Sequence, residues 1–115
     1  MLEIAIREFQ IKLVMVMGHT GCLAVGQLLD GDKGGPGGMH RIAVQNAIYR
    51  AKAKNPVDLY RASVKENVEQ SMHHLLRDSY TLHDAVRAGN CGIIGCVYDM
   101  QTGEVEIVPL TKDRV

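Results

Sequence analysis

The stretch Ile11-Lys-Leu-Val-Met-Val-Met-Gly-His-Thr-Gly-Cys22 constrains this chain more than any other. Six of the seven residues Ile11 to Met17 are apolar, with no sustained alternation. Such a run reads as a strand buried on both faces, the pattern of a parallel sheet covered by helices. The run stops at Gly18, and Leu23-Ala-Val-Gly-Gln-Leu-Leu29 reads as the first turns of a helix. A strand that enters a helix through a tight glycine turn places the turn at the carboxyl edge of its sheet, where open α/β folds bind ligands. This turn carries His19 and Cys22, an imidazole and a potential thiolate three positions apart. Both suit zinc, and the spacing lets one short loop deliver them to a single tetrahedral ion. The plain alternatives are a turn histidine bonded to backbone and a cysteine acting as a small buried hydrophobe.

The remaining segments surround that strand with helices. Leu2, Ile4, Ala5, Ile6 and Phe9 fit a short amphipathic helix, with Glu3, Arg7 and Glu8 free to face water. Gly26, inside the helix after the turn, is expected to mark close packing against the sheet, since an exposed glycine there costs roughly 1 kcal/mol. Asp30 to Gly38 holds five glycines and one proline and reads as a surface loop. Its Asp30-x-Asp32 start is not a calcium loop, because the twelfth position is Arg41 instead of glutamate. Nor does it open a helix with Gly-Lys-Ser/Thr, as a phosphate loop would. Met39 to Lys54 predicts a helix, basic through Arg41, Arg50, Lys52 and Lys54, that ends before Pro56. Another is expected from about Val57 to Arg77, with Val64, Val68, Met72 and Leu75 or Leu76 facing the sheet. Tyr80 to Arg87 predicts a shorter helix with Thr81 as its N-cap and Gly89-Asn90 after its end. Cys91 to Tyr98 is a second apolar strand, and after a turn over Asp99 to Glu104 the segment Val105-Glu-Ile-Val108 returns as an alternating one.

Three blocks of this sequence resemble the β-class carbonic anhydrase family, in the family's order and at about its spacing. They are Gly18-His19-Thr20-Gly21-Cys22 after a buried strand, Asn67-Val68-Glu69-Gln70, and Gly92-Ile-Ile-Gly-Cys-Val-Tyr-Asp-Met-Gln-Thr-Gly-Glu-Val105. The resemblance spans nearly the whole chain. It implies an α/β open sheet with helices on its faces, as one domain over residues 1–115, with about three strands and a closing antiparallel hairpin. It implies zinc as cofactor, His19 and Cys22 as two of its ligands, and reversible hydration of carbon dioxide to bicarbonate; related sites also hydrolyse carbonyl sulfide or carbon disulfide. The family's other zinc ligand and an Asp–Arg pair come from an earlier Cys-x-Asp-x-Arg segment, a motif this sequence does not contain. The expectation is therefore a domain truncated at its N-terminus, weakly active or inactive by itself. Leu23 and Gly21 also depart from the family, which commonly has glycine and often has aspartate there. The alternative reading is a non-catalytic interaction or structural subunit of the same descent. With the first strand absent, the Ile11–Met17 strand has an open edge, which invites a homo-oligomer or a partner supplying the missing strands.

Composition narrows the remaining classes. Thirteen basic and thirteen acidic residues cancel, which removes the electrostatic case for nucleic acid or an anionic membrane. Without tryptophan and with one phenylalanine and four tyrosines, base-stacking platforms are not expected either. No apolar run approaches the ~20 residues of a membrane span. Three cysteines, an odd number, and an N-terminus unlike a signal peptide point to reduced thiols and a cytoplasmic protein. Cys91 and Cys96 are read as core thiols, either of which is a remote candidate for the missing ligand. His73 and His74 are helical neighbours whose side chains diverge by about 100° and do not share a metal readily.

Overall fold

A computed structural model describes residues 1–21, 23–29 and 38–110. Cys22 and the glycine-rich loop expected at 30–38 (its residues 30–37) lie outside the described residues. The elements follow in the order α1 (Leu2–Phe9), β1 (Leu13–His19), α2 (Leu23–Leu29), α3 (Gly38–Ala53), α4 (Leu59–Asp78), α5 (Tyr80–Arg87), β2 (Gly92–Tyr98) and β3 (Val105–Val108). The strands form one sheet in the order β1-β2-β3. β1 and β2 run parallel with Leu13 beside Gly92 and His19 beside Tyr98, while β3 returns antiparallel with Val105 beside Tyr98. The α/β architecture with a closing hairpin is thus as the sequence implies.

The core lies between the sheet and α4. Val64, Val68 and Met72, spaced four residues apart on α4, are all buried, and Val97, Val108 and the half-buried Val16 and Ile93 pack against the same cluster. Two glycines make this approach possible. A Cβ on Gly18 would stand 2.6 Å from Val68 Cγ2, and one on Gly95 would stand 2.5 Å from Met72 Cε. Both are far inside contact distance, so the strands are smooth where the helix presses hardest. Behind α4, α3 buries Val44, Ala47, Ile48 and Ala51, a helical stripe at i, i+3, i+4 and i+7. Gln70 Nε2 donates to the Ala43 carbonyl at 2.8 Å, tying α4 to α3 through the Asn67–Gln70 block.

Three expectations need correction. β1 is not buried on both faces: it is an edge strand on which Leu13, Met15 and Met17 are about half exposed (53%, 52% and 52%), alternating with half-buried residues. Helix α4 covers one side of it, and no described element covers the other. The N-cap of α5 is Ser79, whose Oγ accepts from Leu82 N at 3.2 Å; Thr81 already lies inside the helix. A Cβ on Gly26 would meet Tyr60 of α4 at an ordinary 3.8 Å, so this glycine marks no forced approach to the sheet. The short helix expected ahead of β1 is present as α1; it buries none of its residues fully and packs chiefly against α5.

Candidate metal centre

The expected metal turn starts at the carboxyl end of β1. His19 is the last strand residue and its side chain is exposed, on the face of the sheet away from α4. Its Nδ1 lies 2.9 Å from the Thr20 carbonyl oxygen. A carbonyl only accepts, so this contact is a hydrogen bond in the tautomer with the proton on Nδ1. That tautomer leaves the Nε2 lone pair facing outward.

Two hydrogen bonds hold the turn against the β2–β3 hairpin. Thr20 N donates to the Tyr98 carbonyl at 3.0 Å, and Met100 N donates to Thr20 Oγ1 at 2.9 Å. Gly21 then takes a left-handed φ of +75°, a conformation that glycine adopts without steric cost. A Cβ there would lie 3.8 Å from Met100 Sδ, so conformation rather than crowding explains the residue. The structure therefore gives the position of His19 and the path of the chain as far as Gly21. Cys22, the other expected ligand, lies outside the described residues.

The remaining cysteines sit differently. Cys91 and Cys96 are free thiols, both buried. Cys91 precedes the amino end of β2, roughly 20 Å from the carboxyl edge at ~3.3 Å per strand residue, too far to serve a metal there. Cys96 shares the His19 face of the sheet but is fully buried, one pleat back from the edge. Among the described residues no three His, Cys, Asp or Glu side chains are grouped to hold a metal ion.

An ionic cluster that the sequence reading missed lies near the same edge, on the α4 side. Arg61 of α4 donates through Nη1 to Asp99 at 3.3 Å and through Nη2 to Glu106 at 3.0 Å, and Lys65 also pairs with Glu106. Asp99 Oδ1 accepts from the backbone of Gln101 at 2.9 Å and Thr102 at 3.3 Å, shaping the hairpin turn. Those backbone donors, Gln101 first, together with Arg61, hold the Asp99 carboxyl below its ordinary range. The hydrogen bond from Lys65, with that from Arg61, lowers Glu106 likewise, and Glu106 and Asp99 in turn raise the Arg61 guanidinium. The readable part of this cluster was Asp99-Met-Gln-Thr-Gly103, a hairpin-turn pattern; that Arg61, thirty-eight residues earlier, would close on it was not. The cluster clamps the hairpin to α4 and lies across the sheet from His19, so it is not the Asp–Arg pair the family uses at its metal.

Comparison with known proteins agrees with this fold. A family model described as carbonic anhydrase matches residues 1–105. β-Carbonic anhydrase 6, mitochondrial, of Arabidopsis thaliana is 26% identical over 124 residues, covering 98% of this chain and 42% of that protein. Among solved structures, the β-carbonic anhydrase CafA of Aspergillus fumigatus superposes with a TM-score of 0.76 at 23% identity, covering 96% of this chain and 55% of that one. One of two tetrameric β-carbonic anhydrases from Sordaria macrospora gives 0.76 at 18% identity, covering 93% and 57%. The chain thus spans about half the length of the relatives it matches.

Proposed function

The chain belongs to the β-carbonic anhydrase family, and from that membership we propose that it supplies the His19–Cys22 half of a zinc site for reversible hydration of carbon dioxide to bicarbonate. The observation that carries this reading is His19 itself: exposed at the carboxyl edge of the sheet, with Nδ1 engaged by a backbone carbonyl. A carbonyl on one ring nitrogen fixes the tautomer and orientation of a metal-binding histidine and leaves the other nitrogen as the ligand. The donor set of one imidazole and one thiolate suits zinc. Bound zinc would supply the Lewis acidity that brings the ionisation of water from ~16 down toward ~7. Within this chain, His19 would present Nε2, Cys22 would present a thiolate, and Thr20 would hold the turn still through its two bonds to the hairpin.

A catalytic zinc site uses three protein ligands. Two come from this turn, so the proposal includes weak activity or none for the 115-residue chain alone. It also includes oligomerisation, supported by the open edge of β1 and by relatives described as tetrameric. Cytoplasmic residence, expected from the cysteines, stays within the proposal although the Arabidopsis relative is described as mitochondrial; a signal confined to organelles on cell fractionation would refute it.

Zinc titration against a competing chelator tests the ligand assignment. The expected result is weak binding that His19→Ala and Cys22→Ser each reduce by about tenfold or more. Binding unchanged in both variants would overturn it. Stopped-flow hydration of CO2 by the zinc-loaded chain should show a rate close to that of buffer; a high, zinc-dependent rate would refute the inactivity.

A further inference from the structure

A cleft of about 590 Å³ opens between α3 and α4, within the size range of small-ligand sites. Tyr49, Arg50 and Lys54 line it from the end of α3, and His73, His74 and Arg77 line it from α4. Three permanent cations and two imidazoles therefore meet there, and no acidic residue lines it. In a chain whose thirteen basic and thirteen acidic residues cancel, this is a local concentration of positive charge. Gln70, at the same cleft, ties its walls together by donating to the Ala43 carbonyl of the facing helix. Lys54 is paired with Glu66 and Arg77 with Asp78, while Arg50 makes no ion pair among the described residues. Arg50 and Arg77 each stand in the last turn of a helix, where a cation also offsets the dipole. The dipoles do not account for the imidazoles. His73 is largely buried and its Nε2 has no hydrogen-bond partner; Glu69 Oε2 stands 3.9 Å away, beyond bonding distance. An orphaned buried polar atom marks a place where a partner is missing.

We propose that this cleft binds a phosphate group, free or carried on a small organic ester. Near neutral pH a phosphate monoester carries a charge of about −1.5 to −2 and three strong acceptor oxygens. A site with several donors and no carboxylate of its own matches that better than it matches a carboxylate, whose two oxygens a single arginine satisfies. The guanidinium forks of Arg50 and Arg77 suit phosphate oxygens in particular, and Lys54 adds a point charge. Tyr49, 76% exposed at the cleft, offers an aromatic face for the organic part of an ester. A nucleic-acid strand fits less well, since it needs a charged groove with repeated stacking platforms, and this chain has one phenylalanine and no tryptophan. The inference goes beyond the zinc half-site and does not rest on it, because His19 projects from the face of the sheet away from α4.

The test is isothermal titration calorimetry of the metal-free 115-residue chain with inorganic phosphate, adenosine 5′-monophosphate and adenosine, at fixed ionic strength. Arg50→Gln and Arg77→Gln are measured beside it, with Arg7→Gln on α1 as the control for general charge. Both cleft arginines are exposed, Arg77 with 69% of its side chain in water, so the variants keep the fold, which circular dichroism checks. The expected outcome is one saturable phosphate site with a Kd below ~1 mM, weakened at least about fivefold by each cleft variant and less than about twofold by Arg7→Gln. Equal affinity for phosphate and the monophosphate identifies free phosphate as the ligand. Tighter binding of the monophosphate, with the gain removed by Tyr49→Ala, identifies an ester. Absence of saturation would overturn the inference, and so would adenosine binding as well as its monophosphate. Affinity unchanged in both cleft variants, or lowered equally by Arg7→Gln, would likewise overturn it. A single-stranded oligonucleotide that displaced the monophosphate at far lower concentration would overturn it in favour of nucleic acid.

Discussion

On the side of the sheet facing α4, Gly18 and Gly95 give way to Val68 and Met72, and the space is filled to contact. On the other side, Met15 and Met17 of β1 and Ile107 of β3, from the same sheet and just as apolar, are more than half exposed. The difference teaches that burial here follows coverage, not hydrophobicity. Both faces carry core-type residues, but among the described residues a helix covers only one. The small residues mark the covered side: a strand loses its side chains where a helix must come close, and keeps them where nothing presses.

The sharpest way to break this contrast is a matched pair of truncations. Met72→Ala should cost about 2–5 kcal/mol of unfolding free energy, because it empties a fully buried site. Met15→Ala, measured at concentrations low enough to keep the chain monomeric, should cost less than about 1 kcal/mol, since half of that side chain is already in water. Urea unfolding of both would show it, and equal losses would mean that the two faces are not different. Next in size, Gly18→Ala should destabilise by roughly 1–3 kcal/mol by driving a methyl into Val68 and Val64. The same change at Gly89 would meet no neighbouring atom within 4 Å, so any loss there would reflect its left-handed φ of +80° and separate strain from crowding.

The smallest effect belongs to the ionic clamp at the rim. Asp99 and Glu106 both ionise below their ordinary values of 3.8 and 4.5 in the folded chain. A carboxylate whose folded value is depressed stabilises the fold fully above its ordinary value, and that contribution is lost as pH falls through the folded one. Stability should therefore be insensitive to these groups above about pH 5 and should decline below about pH 4. Arg61→Met should flatten that acid limb by a modest amount, as expected of solvent-screened pairs. Urea midpoints from pH 3 to 7 check it, and an unchanged limb in the variant would remove the clamp from the account of stability.

Several features were legible before any coordinates. The α4 stripe of Val64, Val68 and Met72 follows from four-residue spacing, the β2–β3 hairpin from its turn residues, and the end of α3 from Pro56. His19 was legible as a candidate ligand because glycine turns after apolar strands sit at carboxyl edges. The cap of α5 was misread by two residues, since Ser79 and Thr81 offer the same hydroxyl and only the backbone geometry separates them. The exposure of Met15 and Met17 was not legible at all. A run with no polar alternation looks the same whether its second face meets a helix, another molecule or water.

By itself, then, the sequence determined which segments are helix and strand, where the metal-type turn falls and which family the chain resembles, because these are written in local periodicity and short motifs. Only the tertiary structure decided that α4 covers one face while no described element covers the other, that Arg61 closes on Asp99 and Glu106, and that Nδ1 of His19 is held by a carbonyl. Those outcomes depend on how distant segments are brought together. Periodicity along the chain says which residues need a neighbour, and the packing of the whole decides which of them receive one.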